Sequence, residues 1–261
     1  MRLYKKQRMK GKNGIRLWAV FIWLVIWQGA SMLMQRAFPH GALLLPSPME
    51  AIRRLGELAV TAEFWAATGR SAAHIFGGFL ISCVLAVVLA VVSSGVRPVR
   101  ELLAPVVAAV KAVPVVSFII LALVWIDTDE LSLFISALMV FPPVYLNVLE
   151  GIDSTDRKLL EMAGVFHVPF LRQLRGIYLP HVLPYFRAAC SLALGLCWKS
   201  GAAAEVIGLP ANTVGEQLYT AKVYFQTPDL FAWTAVIVLI SVIFEKIFLA
   251  LVDLAVKKVD G

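Results

Sequence analysis

Uncharged apolar runs recur along most of the chain, separated by shorter segments that gather the charge. A helix needs about 20 such residues to cross a hydrocarbon core. Runs of that size fall at residues 17–34, 71–92, 102–126, 131–149, 184–199 and 230–252. The first and fourth carry no charge. The third is interrupted by Lys111, the fifth has Arg187 near its start, and the sixth holds Glu245 and Lys246. Lipid offers no partner for the polar backbone of a lone strand or loop, so each run is read as a helix. The pattern predicts an all-α membrane protein with six spans and both termini on one side. Residues 1–16 are read as a basic N-terminal segment, 35–70 as an outer loop with an amphipathic helix, and 253–261 as a short tail.

Composition agrees with this reading. The chain has 261 residues, 60% of them hydrophobic and 16% charged, against about 25% charged for ordinary soluble domains. The net charge of +7 comes from basic residues that flank apolar spans without aromatic interleaving, which excludes nucleic acid as a partner. The basic start followed by an apolar run imitates a secretory signal. That run is longer than a signal's apolar core and no small-residue cleavage site follows, so it is read as a retained first span. Lysine and arginine favour cytoplasmic loops. Fifteen lie on the side of the N-terminus and six on the other, which places both termini in the cytoplasm. Cys83, Cys190 and Cys197 all fall in apolar stretches and read as small buried hydrophobes.

Two connections are longer than the 2–8 residues usual between bundled helices. One is the cytoplasmic segment 150–180, the other the outer segment 200–229. In the first, Ser154 or Thr155 can cap a helix carrying Leu159, Leu160, Met162 and Ala163 on one face. Pro169 ends that helix or opens the next, which presents Phe170, Leu171, Leu174 and Ile177. Two short helices at the membrane surface make a knob suited to a partner's groove.

At these residues the chain resembles the type I ABC importer permeases. Glu161-x-Ala163 followed at the family spacing by Ile177-x-Leu179-Pro180 matches their EAA loop. Leu45-Pro46-Ser47-Pro48, Ser71 with Gly78-Phe79, and Glu205-Val206-Ile207-Gly208-Leu209 are similar to the branch that serves nitrate, sulfonate, taurine and vitamin-precursor substrates. The resemblance covers roughly residues 43–252. It departs from the family pattern at two places. The family's turn glycine falls at His167, with Gly164 three residues earlier, so the turn sits at one or the other. His74 stands where this branch often carries arginine.

The resemblance implies a six-helix permease fold, a cell-membrane location and a two-permease assembly, a homodimer or a heterodimer with a close relative. It also implies a cytoplasmic ATPase dimer that binds ATP and Mg, and an external solute-binding protein. The chain has no G-x-x-x-x-G-K-[ST] loop, so it is read as a transport subunit, not an enzyme, and binds no cofactor itself. The coupling residues it points to are Glu161, Met162, Ala163, Gly164, Val165, Phe166, His167, Val168, Phe170, Arg172, Arg175, Ile177, Leu179 and Pro180. Met162, Val165, Phe166, Val168 and Phe170 are expected to dock by apolar contact, and Glu161, Arg172 and Arg175 to anchor by charge.

Prolines interrupt two spans: Pro105 and Pro114 the third, Pro142-Pro143 the fourth. Broken membrane helices often mark solute paths. Lys111, Pro114 and Pro142 are therefore pathway candidates, and an intramembrane lysine would suit an anionic solute. Glu205 and Glu216, in the outer segment, are candidates for a gate or a binding-protein contact. Glu245 and Lys246 read as structural anchors. An ion-gradient-driven secondary transporter is the alternative; it requires internal repeats or paired intramembrane acids, and the sequence has neither. A membrane-embedded enzyme would need clustered His, Asp or Glu, and the four histidines are isolated.

Overall fold

The computed structural model describes residues 17–38 and 41–260. The basic N-terminal segment, residues 1–16, lies outside the described residues. Every element is helical: α1 (Leu17–Ala37), α2 (Gly41–Leu44), α3 (Pro48–Ala59), α4 (Ala62–Gly95), α5 (Arg97–Ala112), α6 (Val115–Ala122), α7 (Thr128–Asp153), α8 (Arg157–Val165), α9 (Phe170–Gln173), a π-helical turn (Leu174–Tyr178), α10 (Leu179–Gly208), α11 (Val214–Val223) and α12 (Thr227–Asp260). Among the described residues five helical stretches are long and apolar enough to cross a membrane. The pair α5 and α6 completes a sixth span only as a bent unit, with 106° between its halves.

That bend corrects the reading of the prolines. Pro114 breaks its span, whereas Pro105 lies inside an unbroken α5 and Pro142-Pro143 inside an unbroken α7. A residue before proline is pushed out of the helical region, and Val113 obeys, with φ −81° and ψ 134°. Phe141 escapes because α7 is gripped along its length by α4 and α10. There packing overrides the local preference. The fifth span also differs in extent: α9, the π turn and α10 form one continuous helical stretch, Phe170–Gly208, well beyond 184–199.

The core is the trio α4, α7 and α10. Ile75, Phe79, Val140, Val144, Leu194, Cys197 and Trp198 are buried where the three meet. In lipid, burying apolar surface gives little net drive for helices to associate, so close packing and hydrogen bonds must supply it. Both are present. Ser82 Oγ donates to the Ala137 carbonyl at 2.7 Å, Ser136 Oγ to the Cys197 carbonyl at 3.3 Å, and Tyr145 Oη to Ser93 Oγ at 3.0 Å. Gly78 allows α4 to lie directly on α7: a Cβ there would collide with the Leu133 carbonyl oxygen. The helix α12 joins through an aromatic cluster, with Phe244 4.7 Å from Phe76 and Phe248 4.9 Å from Phe79. The three cysteines are free and buried.

Ion pairs stitch each end of the bundle. At the end bearing α8, Arg100 pairs with Asp153 at 2.8 Å and Arg187 with Asp253. At the other end Arg70 pairs with Asp129 at 3.1 Å, and Arg54 of α3 holds Asp229 at the start of α12. Ser47 and Glu50 form a reciprocal capping box that starts α3. Hydrogen bonds to Asp229 and Glu57 raise the Arg54 guanidinium above its ordinary value. The Glu57 carboxyl is held below the usual carboxylate range by Arg54 and Arg53.

Neighbouring glycines separate the packing constraint from the propensity of the helix. A Cβ at Gly77 meets only Leu133 Cδ1 at 3.8 Å, an ordinary contact. We predict that Gly77→Ala is neutral or slightly stabilising, whereas Gly78→Ala costs about 2 kcal/mol through overpacking. Thermal unfolding of the two variants in detergent measures the contrast.

Candidate functional site

The knob at residues 154–180 is built as two helices around a sharp turn. Neither Ser154 nor Thr155 caps its first helix. Ser154 closes α7, and Asp156 is the cap, its carboxylate accepting from the Lys158 amide at 2.9 Å. The turn sits at His167, which adopts φ 49°, while Gly164 stays within α8. The amide of His167 donates to the Gly164 carbonyl at 3.1 Å and that of Val168 to the Ala163 carbonyl at 2.9 Å. These are the two bonds of a Schellman closure. A left-handed residue is what that closure demands, and histidine tolerates it better than a β-branched residue would. Pro169 then opens α9.

The motif Ile177-x-Leu179-Pro180 lies where the π turn enters α10. A proline in a helix removes one amide and presses its ring on the carbonyl four residues back. The Leu179 amide accordingly donates five residues back, to the Leu174 carbonyl. A wider turn absorbs the proline without ending the helix.

The side chains divide cleanly. Ala163 is buried and Val168, Ile177 and Pro180 are half-buried, so these hold the knob together. Met162, Val165, Phe166, Phe170 and Leu171 are exposed at 51–77%. Glu161, Gly164, His167, Arg172, Arg175 and Leu179 are also at the surface. Behind the knob an apolar cavity of about 590 Å³ lies against α4 and α7, lined by Val87, Val148, Phe170 and Leu174 among others.

At the opposite end, Glu205 is not in a loop and not at a surface. It lies within α10, fully buried. One carboxylate oxygen accepts from Ser71 Oγ at 2.7 Å and from the Gly215 amide at 3.1 Å, and Ser71 Oγ accepts from the Val214 amide at 2.9 Å. These amides belong to the first turn of α11, whose donors have no partner within the helix. A carboxylate there also suits the helix dipole. Gly215 makes the contact possible, since a Cβ at that position would overlap Glu205 itself. Glu216 serves the same turn: its carboxylate accepts from the Asn212 amide at 2.6 Å and its own amide donates to Thr213 Oγ1 at 3.3 Å. Glu205 thus ties α4, α10 and α11 together.

Lys111, Pro142 and Asn147 come together in a cavity of about 420 Å³ between α5, α7 and α10, lined also by Met139, Leu192 and Leu196. Pro114 sits at the break beside it. Glu245 accepts from Ser191 Oγ at 3.0 Å, an internal tie between α10 and α12. Lys199, where the fifth apolar run stops, is an exposed residue of α10, nine positions before the end of that helix. The continuation beyond it is invisible to hydropathy, because Gly201, Ala202, Ala203 and Ala204 carry the helix on after the strongly apolar run.

Two variants test the tie at Glu205. Glu205→Ala strands the Ser71 hydroxyl and the Gly215 amide in the interior, at a cost of about 3 kcal/mol. Glu205→Gln keeps an acceptor oxygen for both and should cost less than about 1 kcal/mol. Thermal unfolding in detergent reads the difference. In the knob, His167→Gly removes the left-handed strain and should stabilise the turn by up to about 1 kcal/mol, read as slower amide exchange in α8.

Comparison with known proteins matches residues 78–261 to the model of the family described as binding-protein-dependent transport system inner membrane component. SsuC of Bacillus subtilis strain 168, which carries the name of an aliphatic sulfonates transport permease, is 28% identical over 87% of this chain and 80% of its own. The riboflavin transport system permease protein RibX of Chloroflexus aurantiacus is 28% identical over 84% of this chain and 80% of its own. The taurine transport system permease protein TauC of Escherichia coli K12 is 26% identical over 78% and 76%. With an all-helical bundle of five long apolar spans and one bent span, and a family model that covers most of its length, this chain belongs to the binding-protein-dependent inner-membrane components, the permease subunits of ABC importers.

Proposed function

We propose that this chain forms half of the membrane pathway of an importer and is driven through its knob by a separate ATPase. The observation that carries this reading is the pairing of exposure with continuity. Met162, Val165, Phe166, Phe170 and Leu171 stand in solvent, and the second helix of the knob runs without a break into α10. An apolar cluster on a protrusion is a docking surface. Glu161, Arg172 and Arg175 ring it with charge and orient the dock, while Ala163, Val168, Ile177 and Pro180 keep the protrusion rigid.

In this reading both termini and the knob are cytoplasmic, and the end bearing α3 and α11 faces outward, where a solute-binding protein delivers cargo. A cytoplasmic ATPase dimer binds ATP and Mg; closure of that dimer draws two knobs together. The second permease is a further copy of this chain. The pathway runs along the face that carries Lys111, Pro114 and Pro142, and the Glu205 and Glu216 ties set the position of α11 at its outer mouth. Lipid surrounds the remaining faces. The cargo is a small solute of the kind named for the relatives, a sulfonate, taurine or a vitamin-like molecule.

Co-expression with the ATPase encoded beside the permease tests the coupling. Phe166→Asp with Phe170→Asp should abolish co-elution of the ATPase while the permease still inserts and elutes as the wild type. Glu161→Lys should abolish solute-stimulated ATP hydrolysis. Normal co-elution and normal stimulated hydrolysis in these variants would overturn the assignment of the knob.

A further inference from the structure

Two apolar cavities behind the knob are lobes of one groove. The first, of about 590 Å³, and the second, of about 410 Å³, share Val87, Val148, Leu179 and Val182. Those four come from α4, α7 and α10. The second lobe adds Leu183, Phe186 and Val252, and no polar side chain lines it. The groove has no lining residue in common with the cavity that holds Lys111, so it lies off the face read as the pathway.

Its depth follows from the ion pairs at the same end of the bundle. Ser94, Gly95 and Asp153 line the rim, and Asp153 pairs with Arg100 at 2.8 Å. In the second lobe Phe186 and Val252 each precede a member of the Arg187–Asp253 pair. Val87 lies eight residues before the end of α4, about 12 Å of helical rise. The hydrocarbon of one leaflet is roughly 15 Å thick. The groove therefore starts at the level of charge and runs to the depth of the acyl chains. Val91 lines it and is itself exposed, as are Val84 and Val88 on α4 and Leu251 on α12. It thus opens onto the apolar surface of two membrane-spanning helices.

The chemistry of the groove selects its occupant. Water finds no polar partners in an apolar void, whereas an apolar molecule that can reach such a void fills it. At this depth the molecule within reach is the alkyl chain of a lipid. The polar rim suits the remainder of that lipid. Arg100 and Arg187 are half-exposed, and a guanidinium has N–H donors beyond those its carboxylate takes, in a geometry that suits phosphate.

We infer that the groove is a phospholipid site. One acyl chain lies along Val87, Val148 and Val182, and the phosphate sits at the level of the two ion pairs. Leu174 and Tyr178 of the π turn line the groove from one side, and Val87 and Val91 of α4 from the other. The main contacts of the π turn are with α9 and α10, so the lipid chain fills the space between that turn and α4. The lipid is a fitted part of the junction between knob and bundle, and the site is independent of what the permease carries.

The test uses the assembled transporter in nanodiscs doped with a phosphatidylethanolamine that carries a diazirine midway along one acyl chain. After irradiation, adducts are located by mass spectrometry. Those on Val87 and Val182 should saturate as the probe fraction rises. Those on Phe21, an exposed residue of α1, should rise in proportion. Val182→Trp occupies the groove and should lower the Val87 adducts roughly fivefold or more, with Phe21 unchanged. Val87→Trp is the reciprocal variant, read at Val182. Val182→Ala enlarges the groove and should keep the Val87 adducts. Absence of adducts in the groove, or a yield that never saturates, overturns the inference. So does equal loss in Val182→Ala and Val182→Trp, which would report disturbed packing and not a filled site. If adducts form on the permease alone and vanish once the ATPase is bound, protein covers the groove and the inference is again overturned. All yields are taken on protein that elutes as the wild type.

Discussion

One helical stretch of 39 residues, Phe170–Gly208, is the constraint from which the rest of this structure follows. A rod of that length extends about 58 Å, farther than the hydrocarbon core. Its first turns carry exposed Phe170 and Leu171; its last carry the buried Glu205 that holds α11. Backbone polar groups in lipid must be satisfied within the segment, so the rod cannot be interrupted cheaply. The proline at its entrance is accommodated by a π turn, which keeps the chain helical. Helix α9 of the knob and α10 are therefore parts of one continuous stretch.

The remaining helices divide into those that clamp this rod and those that do not. Small residues at Gly78, Ser136 and Gly201 let α4, α7 and α10 approach closely, with Ser136 and Ile75 filling the space where a Cβ at Gly201 would stand. Hydrogen bonds between serines and carbonyls lock the register. By contrast α1 touches mainly α2 and α3, through Trp27 to the Pro46 carbonyl and Ser31 to the Leu45 carbonyl. The α5–α6 pair is bent and open on one side. The close packing is thus concentrated in the trio α4, α7 and α10, with the other spans set around it.

Much of the site is legible in the residues. The knob, its amphipathic halves and its family spacing are all visible in residues 153–180, because charge, periodicity and motif coincide there. What cannot be read is the choice between His167 and Gly164 for the turn. Both residues are compatible with local chemistry, and the choice follows from where the Schellman bonds close. The helix cap falls at Asp156, one or two residues beyond the expected position, for the same reason: three adjacent side chains are all good caps, and the end of α7 decides which is free. The role of Glu205 is hidden more deeply. A glutamate after an apolar run looks like a loop charge until Ser71 and Gly215, both distant or hidden in sequence, are brought beside it.

The sequence by itself determined that this is a helical membrane protein with a knob between its fourth and fifth spans, since hydropathy and positive charge act on each segment separately. Tertiary structure alone decided which proline breaks a helix. Pro114 bends a span that has free space around it, whereas Pro142 and Pro143 are held straight by neighbours on both sides. It also decided that Lys111 and Asn147, 36 residues apart in the chain, line one cavity. Side-chain burial and the pairing of distant charges arise from contacts between segments, and no local pattern encodes them.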